Sequence, residues 1–228
     1  MPMTNEEILR HIDHTLLKAV SSWPEIEKLC AEAIRYRTAS VCVPPSYVKP
    51  IHRVFGREPV ICTVIGFPLG YSVSAAKMRE TETALAEGAE EIDMVINLGD
   101  VKNGDFDKVE DEITALKKVA GNKILKVIVE TCYLSRDDKI RLCGIVTSAG
   151  ADYIKTSTGF GSAGATLEDV LLFKEHIGPA VKIKAAGGVK TRGDLEKFID
   201  AGCDRIGTSS AVALLTGGGA RTESPSGY

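Results

Sequence analysis

One lysine stands where an apolar strand runs into a turn rich in hydroxyl groups and glycine. This is Lys155, within the sequence Tyr-Ile-Lys-Thr-Ser-Thr-Gly at 153–159. Burying an ammonium group without a partner costs several kcal/mol or lowers its pKa. A neutral lysine amine is a nucleophile that attacks carbonyl carbons. Lys155 is therefore the first candidate for covalent chemistry.

A carboxylate and a second lysine take equivalent places in neighbouring strand-like segments. Side chains alternate between the two faces of a strand. In segment 92–96 the apolar residues share one face, which leaves Asp93 on the other. In segment 180–184 the same alternation leaves Lys184 opposite the apolar face. Both side chains are predicted to share an interior with Lys155.

This grouping has a catalytic and a structural interpretation. Two ammonium groups a few ångströms apart disfavour each other's charge, which lowers one pKa. Lys155 can then form a Schiff base with a carbonyl, while Lys184 stays protonated and exchanges protons with Asp93. The structural alternative is a buried ion pair of Lys155 with Asp93 or with Glu130.

Other polar residues are predicted on the same inner face. Lys126 and Lys182 lie one layer deeper than Lys155, and for these two we favour structural pairing with a carboxylate. Asp13 and Thr15 of the first strand, and Cys42 of the second, join the inner set. Cys42 is interpreted either as a thiol near the mouth that reacts with an unsaturated aldehyde or as a small buried apolar residue.

The order of secondary structure indicates how these residues are brought together. The predicted strands are 11–15, 40–43, 59–65, 92–96, 124–130, 153–157, 180–184 and 205–208. The predicted helices between and around them start near residue 4 and then span 24–36, 48–54, 74–87, 107–119, 136–148, 166–176, 191–201 and 209–215. About eight strand–helix units in 228 residues favour a single-domain (β/α)8 TIM barrel with a short N-terminal helix.

Two glycine- and hydroxyl-rich loops follow the last two strands. Glycine lets backbone N–H groups approach an anion, and the loops after strands seven and eight are the usual phosphate site of this barrel. The alternative is two turns without a ligand. The candidate phosphate contacts are Gly187, Gly188, Ser209 and Ser210, with Lys190 and Arg192 as sources of positive charge.

Composition places the chain among ordinary globular proteins. It is 44% hydrophobic and 26% charged, with a net charge of −3 that gives no reason to expect nucleic-acid binding. No signal peptide and no apolar run of membrane-spanning length are found, so we expect a cytoplasmic protein without membrane contact. The six scattered cysteines are expected to be buried free thiols rather than disulfides or metal ligands.

The end of the chain is rich in glycine and serine. We assign 1–215 to the barrel and 216–228 to a flexible C-terminal tail. The last residue, Tyr228, is interpreted either as a phenol that the tail brings to the substrate for proton transfer or as part of a disordered end.

Four motifs together resemble the deoxyribose-phosphate aldolase family. They are Tyr-Ile-Lys-Thr-Ser-Thr-Gly, Lys-Ala-Ala-Gly-Gly-Val, Glu-Ile-Asp-Met-Val-Ile-Asn and Ile-Asp-His-Thr-Leu-Leu, and the resemblance runs from Ile12 to Ser210. It implies a metal-free class I aldolase with no cofactor. It also implies reversible cleavage of 2-deoxy-D-ribose 5-phosphate to D-glyceraldehyde 3-phosphate and acetaldehyde, by a homo-oligomer (dimer or tetramer).

The resemblance also implies a role for each matching residue. Lys155 becomes the Schiff-base lysine, and Asp93 and Lys184 become the proton-relay pair. The phosphate contacts fall on Gly187, Gly188, Ser209 and Ser210, while Asp13 and Thr15 lie near the substrate. Some relatives have a lysine where this chain has Phe160, which puts one charged phosphate contact in doubt.

Two rival functions stay open at this point. Another Schiff-base barrel aldolase or a transaldolase shares the lysine and the phosphate loops, but it is expected to lack Lys184. A catalytically silent barrel that senses a sugar phosphate or serves as a scaffold does not need the intact set of Asp93, Lys155 and Lys184.

Overall fold

The strands of the protein close into a parallel barrel. The computed structural model describes residues 3–217. The strands are β1 (Ile12–Thr15), β2 (Ser40–Val43), β3 (Ile61–Ile65), β4 (Glu91–Val95), β5 (Ile124–Ile128), β6 (Tyr153–Lys155), β7 (Lys182–Ala186) and β8 (Arg205–Thr208). Each strand pairs with its neighbour along the chain, and β8 pairs with β1. The predicted eight-stranded TIM barrel is confirmed.

Helices connect the strands and surround the barrel. They are α1 (Asn5–Leu9), α2 (Trp23–Tyr36), α3 (Val48–Phe55), α4 (Ser74–Ala86), α5 (Leu98–Asn103), α6 (Phe106–Ala120), α7 (Arg136–Ser148), α8 (Leu167–His176), α9 (Arg192–Ala201) and α10 (Ala211–Thr216). Short 3-10 turns span Pro45–Tyr47 and Thr131–Tyr133. Within residues 3–217 no helix has the length and apolar character needed to cross a membrane.

The short helix α1 lies against α9 and α10, the last two helices of the described chain. Thr4 caps it, with its hydroxyl accepting from the backbone N–H of Glu7. The side-chain amide of Asn5 donates to the carbonyl of Leu215 in α10 at 2.6 Å. The guanidinium of Arg192 in α9 also donates to Asn5, and to the carbonyl of Met3. The beginning of the chain and the last described helix therefore hold each other in place.

Alternation along the strands separates two interiors. Apolar residues such as Ile92 and Val127 belong to the large core between the barrel and its helices. Asp93 and Lys126, beside them in the chain, are fully buried on the other face and form an ion pair inside the barrel. The apolar part of the barrel interior is small. It consists of Leu17, Cys42, Cys62 and Val64, with Phe67 packed against it.

The seventh strand begins later than predicted, and this corrects the placement of Lys182. Residues 179–180 form a turn, so β7 starts at Lys182 rather than at residue 180. Lys182 is exposed, with its amine 5.8 Å from the centre of the Tyr153 ring. The predicted pairing of Lys182 with a buried carboxylate is therefore wrong, because the residue lies at the solvent-facing start of its strand.

The predicted burial of the cysteines is confirmed for five of the six. All six cysteines are free, and Cys132 alone is only half-buried. It lies in the turn Thr131–Tyr133, after β5 has ended.

Candidate active site

Four neighbouring strands carry charged side chains into the barrel. Asp93 in β4 lies opposite Lys126 in β5, and Lys155 in β6 lies opposite Lys184 in β7. The side chain of Lys155 is 2% exposed, and the side chains of Asp93, Lys126 and Lys184 are fully buried. Charged groups so far from water must be paired. The parallel pairing of the strands therefore determines which charged side chains contact each other. Lys155 takes part as the last residue of β6.

Asp93 is the centre of the group. Its Oδ2 accepts from the amines of Lys155 at 2.7 Å and Lys184 at 2.6 Å. Its Oδ1 accepts from Lys126 at 2.9 Å and from the thiol of Cys62 at 3.1 Å. Burial opposes a charged carboxylate, but the ammonium groups of the three lysines hold the pKa of Asp93 well below its usual range. Asp93 is therefore ionised at neutral pH.

Asp13 is the second carboxylate of this interior. It contacts Lys184 at 2.5 Å and Arg205 at 2.6 Å, and the hydroxyl of Ser40 donates to it at 2.8 Å. Burial opposes its charge, while Lys184, Lys126 and Arg205 hold the pKa of Asp13 below its usual range. Thr15, predicted beside it, donates its hydroxyl to the carbonyl of Asp13 at 2.6 Å. The structure thus brings Asp13 to Lys184 rather than to Lys155.

Two further members of the network were missed from the sequence. Glu91 contacts Lys126 at 2.6 Å, and Arg205 donates to both Glu91 oxygens at 3.0 and 3.1 Å. Both residues open their strands, Glu91 in β4 and Arg205 in β8. Since Glu91 is two residues before Asp93, strand alternation places both on one face. The predicted strand 92–96 began one residue too late to include Glu91.

The network contains one more cation than it has carboxylates. Its cations are Lys126, Lys155, Lys184 and Arg205, and its carboxylates are Asp13, Glu91 and Asp93. Burial opposes a charged Lys184, but Asp13 and Asp93 hold its pKa well above the usual range. Among the ion pairs of the described residues, Lys155 has Asp93 alone.

Glu130 does not provide the alternative ion pair for Lys155. It follows β5 with a left-handed backbone (φ 55°) and turns its carboxylate to Thr158. The backbone N–H of Thr158 donates to it at 3.2 Å, and the Thr158 hydroxyl also donates to it. Burial raises the pKa of Glu130, although the hydrogen bonds from Thr158 oppose this rise. Glu130 therefore fixes the loop after Lys155.

The two predicted phosphate loops lie at the carboxyl ends of β7 and β8. Gly187 and Gly188 both have φ of 78°, a left-handed conformation that favours glycine. Gly164 packs so closely that a Cβ atom there would lie 2.4 Å from the carbonyl carbon of Gly187. The hydroxyl of Thr208 accepts from the backbone N–H of Ser210 at 3.2 Å. These contacts shape both loops at the end of the barrel where Lys155 lies.

The remaining predicted contacts fall in different places. Ser209 is exposed and lines a cleft of ≈ 380 Å³ between α2 and α10. Arg192, offered as a source of positive charge, is instead bound to Glu196 and to the N-terminal segment. Lys190 is exposed. Tyr228 and positions 218–228 of the predicted tail lie outside the described residues, whereas Thr216 belongs to α10.

Cys42 and Phe160, both named in the sequence analysis, lie in or next to the apolar part of the barrel interior. Cys42 is fully buried, opposite Cys62 in the pairing of β2 with β3. Phe160 is 45% exposed and packs edge-on against Phe67, with ring centres 5.4 Å apart.

Comparison with known proteins gives one consistent family. Residues 8–217 match the model of the DeoC/LacD family of aldolases. The chain is 64% identical over 215 residues to the deoxyribose-phosphate aldolase of Clostridium botulinum (strain Eklund 17B), covering 94% of this chain and 97% of that protein. It is 55% identical to the deoxyribose-phosphate aldolase of Clostridioides difficile, covering 92% and 96%.

A solved structure of a relative agrees with the sequence comparison. The structure described as a unique tetrameric deoxyribose phosphate aldolase from Aeropyrum pernix superposes with a TM-score of 0.87 at 31% identity, covering 93% of this chain and 91% of that one. Together with the barrel and its interior lysines, these matches identify the chain as a member of the DeoC/LacD family of aldolases.

Proposed function

We propose that this protein cleaves 2-deoxy-D-ribose 5-phosphate reversibly to D-glyceraldehyde 3-phosphate and acetaldehyde. Relatives at 64% and 55% identity carry the name deoxyribose-phosphate aldolase. One observation in the structure carries the proposal. It is the pair Lys155 and Lys184, which donate to one oxygen of Asp93 inside the barrel. This second lysine favours the proposal over other Schiff-base aldolases and over a silent barrel.

Lys155 is the proposed nucleophile because of the charges around it. The network of seven charged groups has an excess of one positive charge, which is relieved when one amine loses a proton. Lys184 has two carboxylate partners and Lys126 has three, whereas Lys155 has Asp93 alone. Lys155 therefore has the fewest carboxylate partners of the three lysines. It is also the lysine at the carboxyl end of its strand.

The chemistry begins with addition of the Lys155 amine to C1 of the open-chain sugar. Lys184 supplies the proton that lets the carbinolamine oxygen leave as water, which gives an iminium ion on Lys155. Asp93 neutralises this cation as it neutralised the ammonium before it. Because acetaldehyde contains two carbons, the bond that breaks is C2–C3.

Cleavage and release complete the cycle. The C3 hydroxyl loses its proton, C3 becomes the aldehyde carbon of glyceraldehyde phosphate, and the C2–C3 electron pair moves into the iminium to give an enamine. The enamine takes a proton at C2 and is hydrolysed to acetaldehyde and the free amine. Asp93 and Lys184, joined by a hydrogen bond of 2.6 Å, move these protons with water.

The phosphate group is proposed to bind at the two loops beyond β7 and β8. Gly187 is half-buried and Gly188 is exposed there, and Ser209 and Ser210 follow the next strand. Backbone N–H groups in such turns and nearby hydroxyl groups suit an anion. A phosphate bound at these loops orients C1 of the sugar toward Lys155. Asp13 is proposed to act through Lys184 rather than on the sugar.

Assembly and location are proposed separately from the chemistry. The Aeropyrum pernix relative is described as a tetramer, and we propose a dimer or tetramer for this chain as well, which light scattering tests. We also propose a cytoplasmic location, supported by six free cysteines.

Borohydride trapping tests the central assignment. Reduction in the presence of the deoxyribose phosphate should fix the substrate fragment on Lys155, as located by mass spectrometry of peptides. Lys182→Ala is the matched control, because Lys182 is an exposed lysine of the same barrel, and it should trap normally. A Lys155→Ala protein that still forms the adduct or turns over would refute the assignment.

A further inference from the structure

Two thiols and a carboxylate meet inside the barrel in an arrangement that the aldolase chemistry does not require. Cys42 and Cys62 lie opposite each other on β2 and β3, and Asp93 is on the next strand. Their sulfur and oxygen atoms all lie within 4.8 Å of one another. The closest pair is the Cys62 sulfur and Oδ1 of Asp93, at 3.1 Å. We propose that these three side chains bind a thiophilic divalent cation, such as Zn²⁺ or Cd²⁺, which blocks the catalytic carboxylate.

The geometry is close to what such an ion needs. With Zn–S bonds of about 2.3 Å, two sulfur ligands of a tetrahedral ion are about 3.8 Å apart. The donor atoms lie within 4.8 Å of one another, so no pair needs to close by more than about 1 Å, and the Cys62 sulfur and Oδ1 of Asp93, at 3.1 Å, need to move apart by about 0.4 Å. Small side-chain rotations provide such shifts. Three protein ligands and one water molecule complete the coordination. The ligands come from three adjacent strands, which hold them rigidly.

The charges of the interior select for a metal that binds thiolates. The surrounding network already has one positive charge in excess. A dication that replaces the protons of Cys42 and Cys62 leaves the total charge unchanged. Magnesium and calcium ions prefer oxygen ligands and release no thiol proton, so they would add their full charge to this excess. The site is therefore expected to exclude them.

A bound ion would act directly on the catalytic group. Oδ1 of Asp93 now accepts from Lys126 at 2.9 Å and from Cys62 at 3.1 Å. A metal on this oxygen replaces the hydrogen bonds from Lys126 and Cys62 and reduces the negative charge available to Lys155 and Lys184 on Oδ2. Binding itself follows from the positions of the ligands, whereas inhibition rests on the proposed function. The test therefore measures binding by spectroscopy.

The experiment is a Cd²⁺ titration of the reduced full-length protein, followed by cadmium–thiolate absorption in the ultraviolet and by proton release. We expect one saturable site that releases about two protons per ion. Mg²⁺ should produce neither signal. Absorption should fall by about half or more in Cys42→Ala and in Cys62→Ala, and it should vanish in the double variant. Cys132→Ala, which removes a half-buried thiol outside the barrel, is the matched control and should bind like the parent.

Two results would overturn the proposal. One is full absorption in the double variant, with its fold verified by circular dichroism. The other needs no variant. The spectrum of bound Co²⁺ reports its ligands, and one with oxygen and nitrogen ligands alone would exclude the thiol site. If the metal binds as expected but the aldolase assay shows no inhibition, the binding site stands and the proposed role of Asp93 fails.

Discussion

Lys155 and Lys184 donate to the same atom, Oδ2 of Asp93, from opposite positions on neighbouring strands. They differ in their other partners. Lys184 also contacts Asp13 at 2.5 Å, and these two carboxylates hold the pKa of Lys184 well above its usual range although burial opposes the charge. The pair is therefore asymmetric, because Lys184 contacts two carboxylates and Lys155 contacts one. We propose that this asymmetry separates the proton donor from the nucleophile.

Removing Lys184 should impair turnover without preventing the covalent step. We expect Lys184→Met to lower kcat by about 10² or more, the usual size of a general acid–base contribution. Borohydride should still label Lys155, but more slowly. Lys182→Met removes an exposed lysine of the same strand and should leave kcat near that of the parent. A steady-state assay combined with peptide mapping checks both, and an adduct on Lys184 in the parent protein would contradict the division of roles.

The excess positive charge predicts effects of unequal size on stability for two substitutions at one ion pair. Lys155→Met leaves equal numbers of cations and carboxylates, whereas Asp93→Asn leaves an excess of two positive charges. We expect Asp93→Asn to lower the free energy of unfolding by about 3–5 kcal/mol and Lys155→Met to lower it less. Urea unfolding of the two variants measures the difference. Equal losses would show that the charge balance of the network does not govern stability.

Acid should unfold the protein through the interior carboxylates. The pKa values of Asp13 and Asp93 are lower in the folded state than in the unfolded chain, because the neighbouring ammonium groups outweigh burial. Their contribution to stability is complete above the unfolded pKa of about 3.9 and is lost as the pH falls below it. Glu130, whose pKa is raised by burial, has the opposite sign.

Calorimetry across the acid range tests this dependence, with ionic strength as the control. Salt screens surface pairs but not a dry network. The loss of stability below about pH 4 should therefore persist at high salt. If the pH dependence of stability disappears on adding salt, it arises from surface ion pairs and not from the interior carboxylates.

A cation at position 160 should strengthen phosphate binding. Phe160 is 45% exposed, so a lysine there can extend into solvent near the loops. We expect Phe160→Lys to lower KM for the phosphorylated sugar by up to about fivefold, corresponding to about 1 kcal/mol for an exposed ion pair. KM for the unphosphorylated sugar should not fall. Phe160→Gln removes the same contact with Phe67 without adding charge, and an equal effect of this variant would exclude the electrostatic explanation.

Two glycines should respond to alanine in opposite directions. A Cβ atom on Gly164 would lie 2.4 Å from the backbone of Gly187, so the loop must shift. We expect Gly164→Ala to cost about 1–3 kcal/mol of stability and to raise KM for the phosphorylated sugar. Gly144, inside α7, has open space around it, and Gly144→Ala should stabilise the protein by about 0.5–1 kcal/mol. Thermal unfolding and kinetics of both variants are the measurement.

Most of the barrel could be predicted from the sequence because its strands are short, apolar and separated by helices with clear ends. The bounds of β2, β8 and α7 agree with the prediction. The prediction missed α5, whose six residues include a glycine and are too few for a helical periodicity. Its Asn97 cap, which accepts from the backbone N–H of Gly99, was the available signal.

The interior was only partly predictable for a physical reason. Alternation correctly grouped Asp93, Lys155 and Lys184, since it depends on sequence alone. The partners of Asp13 depend on the register between neighbouring strands, which the sequence pattern does not give. The register of β8 against β1 places Arg205 in contact with Asp13. Because Arg205 and Glu91 were missed, the excess of one cation over the carboxylates in the network could not be predicted from the sequence. The inner set predicted from alternation included Lys182, which the structure places in solvent.

The closure of the barrel also orders events during synthesis. Asp13 is made with the first strand, while Arg205 arrives only with the eighth. Until β8 pairs with β1, an emerging chain holds the carboxylate of Asp13 without its guanidinium partner, and the barrel stays open at that seam. Domains generally fold as units. The complete charged network therefore needs Arg205, and a chain that ends before residue 205 lacks both this partner of Asp13 and the strand that closes the barrel.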